Sequence, residues 1–135
     1  MTRRPDWRAR LLAYLSSVAA EPYVPGQHDC ILFAAAGREA LTGTDLMADW
    51  RGKYSTVPEG YRIARTHGWA DPFAYVVSGL PEIAPAFAQV GDLAMLDGID
   101  GLPALGIVQG ELIYTVGKER QELAILTAAQ RAWRI

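Results

Sequence analysis

The chain has 135 residues, half of them hydrophobic and 21% charged, a balance that supports one domain over residues 1–135 with its own core and argues against disorder. A formal net charge of −2 carries no basic footprint, which sets nucleic-acid binding aside, and no apolar run approaches the ~20 residues of a membrane-inserted helix. One cysteine excludes an internal disulfide, and with only two histidines beside it no metal site and no cofactor is expected.

Asp6 stands where it can cap a first helix, in which Trp7, Leu11, Tyr14, Leu15 and Val18 recur at helical spacing as far as about Ala20. Arg3, Arg4, Arg8 and Arg10 read as a solvated helix end rather than as phosphate contacts. These opening residues lack the continuous apolar stretch of a signal peptide, so synthesis in the cytoplasm is expected. Pro22, Pro25 and Gly26 break the chain before a second helix, from Asp29 or Cys30 to about Leu41, which is apolar on nearly all sides and ends at a left-handed Gly43. A short helix from Asp45 to Trp50 is expected next, then a loop. Pro58 and Gly68 bracket a third helix, Glu59 to His67, and Asp71-Pro72 opens a short fourth.

After Gly91 the pattern changes to strands: Leu93 to Leu96, Ala104 to Gln109, Leu112 to Val116 with Gln109-Gly110 as the hairpin turn, Leu123 to Thr127, and Ala132 to Ile135 closing the sheet. Helices followed by strands indicate an α+β fold, with N-terminal helices packed on a C-terminal antiparallel sheet. Trp50, Trp69 and Trp133 are expected in or beside the core. The run containing Asp97, Gly98, Asp100 and Gly101 lacks the spacing of a calcium loop and reads as a hairpin loop.

Cys30 is the residue with the most chemistry to offer. A cysteine in the first turn of a helix sits near unpaired N–H groups and the positive end of the dipole, which favours thiolate; the neighbouring Asp29 carboxylate favours the neutral thiol. Spacing alone leaves two alternatives, a nucleophile or a small core residue. A nucleophile needs a base. His28 is either that base or an anchor of the loop before the helix, and His67 is either a base or a helix-end cap. Asp92 orients a turn at the start of the sheet or pairs with Arg51. Arg51 and Tyr54 line a groove beside Cys30 or pin a long loop to the core.

The run Gly26-Gln27-His28-Asp29-Cys30-Ile31-Leu32-Phe33, followed by Gly91-Asp92-Leu93-Ala94, resembles the NlpC-type branch of papain-like cysteine peptidases. Within it, the Gly-x-His-Asp-Cys motif, Arg51-Gly52-Lys53-Tyr54 and the ending Ala132-Trp133-Arg134-Ile135 are similar to a small group of phage and prophage proteins of unassigned function encoded among tail genes. The resemblance implies a papain-like fold with Cys30 as nucleophile, opening the central helix, and a histidine before a hydrophobic-Gly-Ile strand as base. Here that strand reads Pro103-Ala104-Leu105-Gly106-Ile107, so Ala104 stands at the base position. Alanine accepts no proton, and loss of the base costs orders of magnitude in rate.

Two functions follow as expectations. The first is a structural component of the tail tip or baseplate, in the virion tail, with tail hub or distal tail proteins as partners. The second is a cysteine peptidase or amidase acting on peptidoglycan peptides during phage entry, with Cys30 as nucleophile and His28 or His67 as base.

Overall fold

The computed structural model describes residues 2–135. It is α+β: four N-terminal helices, then a six-stranded antiparallel sheet. The first helix, α1 (Trp7–Ser17), buries Leu11 and Leu15, with Trp7, Tyr14 and Val18 packed beside them, so the predicted stripe is the buried stripe. It stops at Ser17, short of Ala20. Asp6 precedes it without a side-chain cap and instead meets Arg10 one turn along at 3.1 Å, a local ion pair that competes for the carboxylate.

Helix α2 (Cys30–Thr42) is the central element, burying Ile31, Leu32, Phe33, Ala34, Ala35 and Leu41. Gly43 closes it at φ 84°, the left-handed conformation expected of glycine there. No helix forms over residues 45–50; turns lead through Trp50, whose ring stacks on Tyr75 at 4.7 Å. Side-chain burial in this stretch outweighs its local helical preference. Helix α3 (Val57–Thr66) is capped by Thr56, and α4 (Pro72–Val76) by Asp71, whose carboxylate accepts from the Ala74 N–H.

The strands are β1 (Glu82–Ile83), β2 (Leu93–Asp97), β3 (Pro103–Gln109), β4 (Leu112–Val116), β5 (Gln121–Ile125) and β6 (Arg131–Trp133), in the order β1-β6-β2-β3-β4-β5. The two-residue β1 escapes a reading based on periodicity, being too short to alternate. The last strand does not close the sheet at an edge. It lies between β1 and β2, pairing Leu93 with Trp133 and Ala94 with Ala132. The segment containing Asp97 and Asp100 is the β2–β3 hairpin loop, with a 3₁₀ turn at Ile99–Gly101.

Alternation along the strands separates two faces. Leu93, Leu105, Ile107, Val116 and Trp133 point toward the helices and join the main core; Ala94, Leu96, Val108 and Ile113 point away and form a smaller one. Helix α2 approaches β3 closely at Gly37, where a Cβ would stand 2.4 Å from Ile107 Cδ1. This approach sets the N-terminus of α2 against the start of β3. No helix among the described residues is long and apolar enough to cross a membrane.

Candidate functional site

The two short motifs singled out in the sequence form one interlocked unit. Gly26 has φ 82°, and a Cβ on it would lie 1.8 Å from the Tyr54 carbonyl oxygen, so only glycine fits. The Gly26 carbonyl accepts from the Gly52 N–H at 3.0 Å, joining the two loops through their backbones. Asp29 caps α2, accepting from the Leu32 N–H at 2.9 Å, and its second oxygen accepts from the Gly26 N–H at 2.9 Å and the Tyr54 hydroxyl at 2.5 Å. The carboxylate is buried and receives three donors, so its charge is satisfied without a cation. Burial and the adjoining Asp29 charge push the Tyr54 phenol upward, which keeps it a neutral donor.

Cys30 follows directly and lines a pocket of about 70 Å³. Tyr23, Tyr54 and Tyr61 bring phenols to it, Trp50 and Phe73 supply aromatic walls, and Pro103 and Ala104 supply the β3 side. The β3–β4 ladder ends at Ile107 and Tyr114, so Leu105 lies beyond it. The backbone of Leu105, and that of Cys30 and Ile31 at the helix start, acts on the thiol. These backbone dipoles act toward thiolate, as expected of a helix N-terminus. Burial outweighs them and, with a smaller contribution from Asp29, pushes the thiol up to about 12. Burial thus opposes the activation expected of the helix start and favours the neutral thiol.

The remaining candidates are dispersed. His28 is buried but is not among the residues lining the pocket; its Nδ1 lies 3.5 Å from Glu21 Oε2 and its ring meets Phe33 edge-on. Its backbone exchanges two 2.8 Å hydrogen bonds with Val24, which anchors the loop before α2. His67 tilts against Trp50, and its Nδ1 lies 2.9 Å from the Ile63 carbonyl oxygen. Arg51 is exposed and pairs with Asp45 at 3.2 Å, not with Asp92. Ala104 stands at the pocket rim, and a Cβ on Gly98 would touch its methyl at 2.6 Å, which places that methyl toward the β2–β3 loop.

Asp92 belongs to a different structure. Fully buried, it accepts from the Gln89 N–H at 2.9 Å, so it does orient the turn before β2. It also meets Arg3 at 2.9 Å, and Arg3 donates further to the Val90 and Ile135 carbonyls. Arg3 is thus a half-buried clasp between the ends of the described chain, where a solvated cluster was expected. Proximity in sequence to three other arginines concealed its distant partner.

Sequence reasoning also passed over Tyr23 and Tyr61. A signal existed for Tyr61: Val57, Tyr61 and Ala64 share one face of α3, and Ala64 is buried. Tyr23 sits in an aperiodic segment and had none.

No curated protein matches this sequence. The family model described as "Domain of unknown function (DUF6950)" matches residues 2–135. That match spans both interlocked motifs, the pocket around Cys30 and the Arg3–Asp92 clasp, and the chain belongs to this family.

Proposed function

We propose that this protein is a structural component of a phage or prophage tail tip or baseplate, built on a papain-like fold and without peptidase activity. One observation carries the second half of this reading: the pocket that holds Cys30 is lined by neither of the chain's two histidines. Burial also favours the neutral thiol, and no imidazole lines the pocket to take its proton. The tail assignment is supported by the resemblance of the Gly26-to-Cys30, Arg51-to-Tyr54 and Ala132-to-Ile135 motifs to tail-encoded proteins. The first two of these motifs also serve the fold, since Gly26, Asp29, Gly52 and Tyr54 hold one another.

Mass spectrometry of purified particles from the encoding phage or induced prophage tests this reading, together with infectivity of Cys30→Ala. The chain is expected in the particles, and the variant is expected to infect as the parent does. A chain absent from particles removes the structural role.

A second reading, a cysteine peptidase or amidase acting on peptidoglycan peptides, is favoured by one observation. Cys30 opens α2 and lines a pocket, so the N-terminal dipole of the helix acts toward a thiolate there. It requires His28 to leave Glu21 and Phe33 and enter the pocket. Release of soluble muropeptides by purified protein, abolished in both Cys30→Ala and His28→Ala, would establish this reading and remove the first.

A further inference from the structure

The sheet ends unequally. At one edge, β1 has two residues and is followed at once by a turn containing Pro85, and Arg131 of its neighbour pairs with Glu82 at 2.7 Å. That is a blunted edge. At the other, β5 runs five residues as Gln121-Glu122-Leu123-Ala124-Ile125, with no proline and no lysine.

The backbone of β5 is half unpaired. Gln121 sends its N–H away from β4 to the Ala19 carbonyl at 3.0 Å, which fixes the phase of the ladder. Alternation then turns Glu122 and Ala124 inward to Thr115 and Ile113, and turns the N–H and C=O of Leu123 and Ile125 outward. Among the described residues no other backbone hydrogen bond reaches the N–H or C=O of Leu123 or the N–H of Ile125, while the Ile125 carbonyl opens the 3₁₀ turn Leu126–Ala128. The side chains of Leu123 and Ile125 are 57% and 62% exposed, and Leu112, the cross-strand neighbour of Ile125, is also exposed. An apolar stripe and a row of free backbone groups coincide on one strand.

We infer that β5 pairs antiparallel with β5 of a second copy of this chain, about a two-fold axis at Leu123, joining the two sheets into one. The occupant is set by self-complementarity. In this register Leu123 faces Leu123 and exchanges two hydrogen bonds with it. Ile125 faces Gln121, donating its N–H to the carbonyl that Gln121 still has free; the Gln121 N–H already bound to Ala19 explains why pairing stops there. The charges also match. Glu122 faces Ala124, so no like charges stand directly opposed. The two copies of Leu112, Leu123 and Ile125 gather on one face, since cross-strand neighbours share a face. Such a contact falls below the roughly 1,200 Å² of a standard interface, so the dimer is a weak one that forms at high local concentration, as within an assembly.

Sedimentation equilibrium on the whole chain, from about 10 µM to about 1 mM, reads the association over the range where weak dimers form. The expected result is a concentration-dependent dimer, weakened at least tenfold by Leu123→Lys with Ile125→Lys. Leu123→Pro removes only an N–H that points out of the sheet, a position where proline is tolerated on an edge, and is also expected to be monomeric. The register has its own test: Leu123→Cys crosslinks on oxidation, since hydrogen-bonded cross-strand Cα atoms lie about 5.5 Å apart, within disulfide reach. Ile125→Cys does not, because the two copies of residue 125 are far from one another. A chain that stays monomeric throughout overturns the inference, as does a dimer that survives both the lysine and the proline variants, or equal crosslinking at 123 and 125.

Discussion

The hydroxyl of Tyr54 donates to the Asp29 carboxylate at 2.5 Å, tying the loop after α2 to the cap that starts α2. This bond sits one residue from Cys30, and with the Gly26–Gly52 backbone bond it fixes the wall of the pocket.

Tyr54→Phe leaves the buried Asp29 carboxylate with two donors in place of three. A loss of about 1–3 kcal/mol of stability is expected, the range for a buried charged acceptor losing a partner. Asp29→Ala removes the helix cap as well, worth about 1 kcal/mol more, and leaves the Gly26 N–H and Tyr54 hydroxyl unpaired. Urea unfolding of both variants and of the double variant checks this: the double should cost less than the sum, because both single changes break the same bond. Strict additivity would show that Tyr54 and Asp29 act independently.

The elevated Cys30 thiol has two consequences. At pH 8 its alkylation by iodoacetamide should run roughly a thousandfold slower than that of a small free thiol, in proportion to the thiolate present. Stability should also depend on alkaline pH. The folded value, about 12, lies above the ordinary 9.0, so the contribution is fully present below pH 9 and is lost as pH rises from 9 toward 12. The slope approaches about 1.4 kcal/mol per pH unit for one proton. Tyr14, Tyr23, Tyr54 and Tyr61 are also pushed upward by burial and add to the loss above their ordinary 10.0. Urea midpoints between pH 7 and 10.5 should fall, and Cys30→Ala should flatten the first part of that fall. A parent protein whose midpoint is level to pH 10.5 contradicts the burial of this thiol.

The Arg3–Asp92 clasp predicts an asymmetry. Asp92→Ala strands the half-buried Arg3 guanidinium and frees the Gln89 and Ile135 N–H groups, so a cost of about 3–5 kcal/mol is expected, as for breaking a buried pair. Arg3→Ala leaves Asp92 with those N–H donors and with Arg134 at 3.8 Å, and should cost less. Thermal unfolding of the two variants decides the order; the reverse order would make the arginine the structural member of the pair.

The fold class and most element boundaries were legible in the sequence because they rest on local rules. The stripe of Trp7, Leu11, Tyr14 and Leu15, the left-handed Gly43, Pro58 at the start of α3 and the hairpin before Leu112 each depend on a few neighbouring residues. The failures come from competing partners, one of them a single helical turn away and the others distant in the chain. Residues 45–50 gave up a helix so that Trp50 could stack on Tyr75, and Asp6 gave its carboxylate to Arg10 where a cap was expected. Arg3 left its basic cluster for Asp92, 89 positions away.

The candidate site divides along the same line. The sequence by itself determined that a cysteine stands in the first turn of a buried helix, and that neither Ala104 nor any residue beside it in β3 can act as a base. Only the tertiary structure decided what that cysteine is. The dipole and N–H groups of the helix start are local and act toward thiolate; the desolvation that overrides them comes from α3, α4 and β3 closing over the sulfur, walls that no stretch of sequence near residue 30 contains.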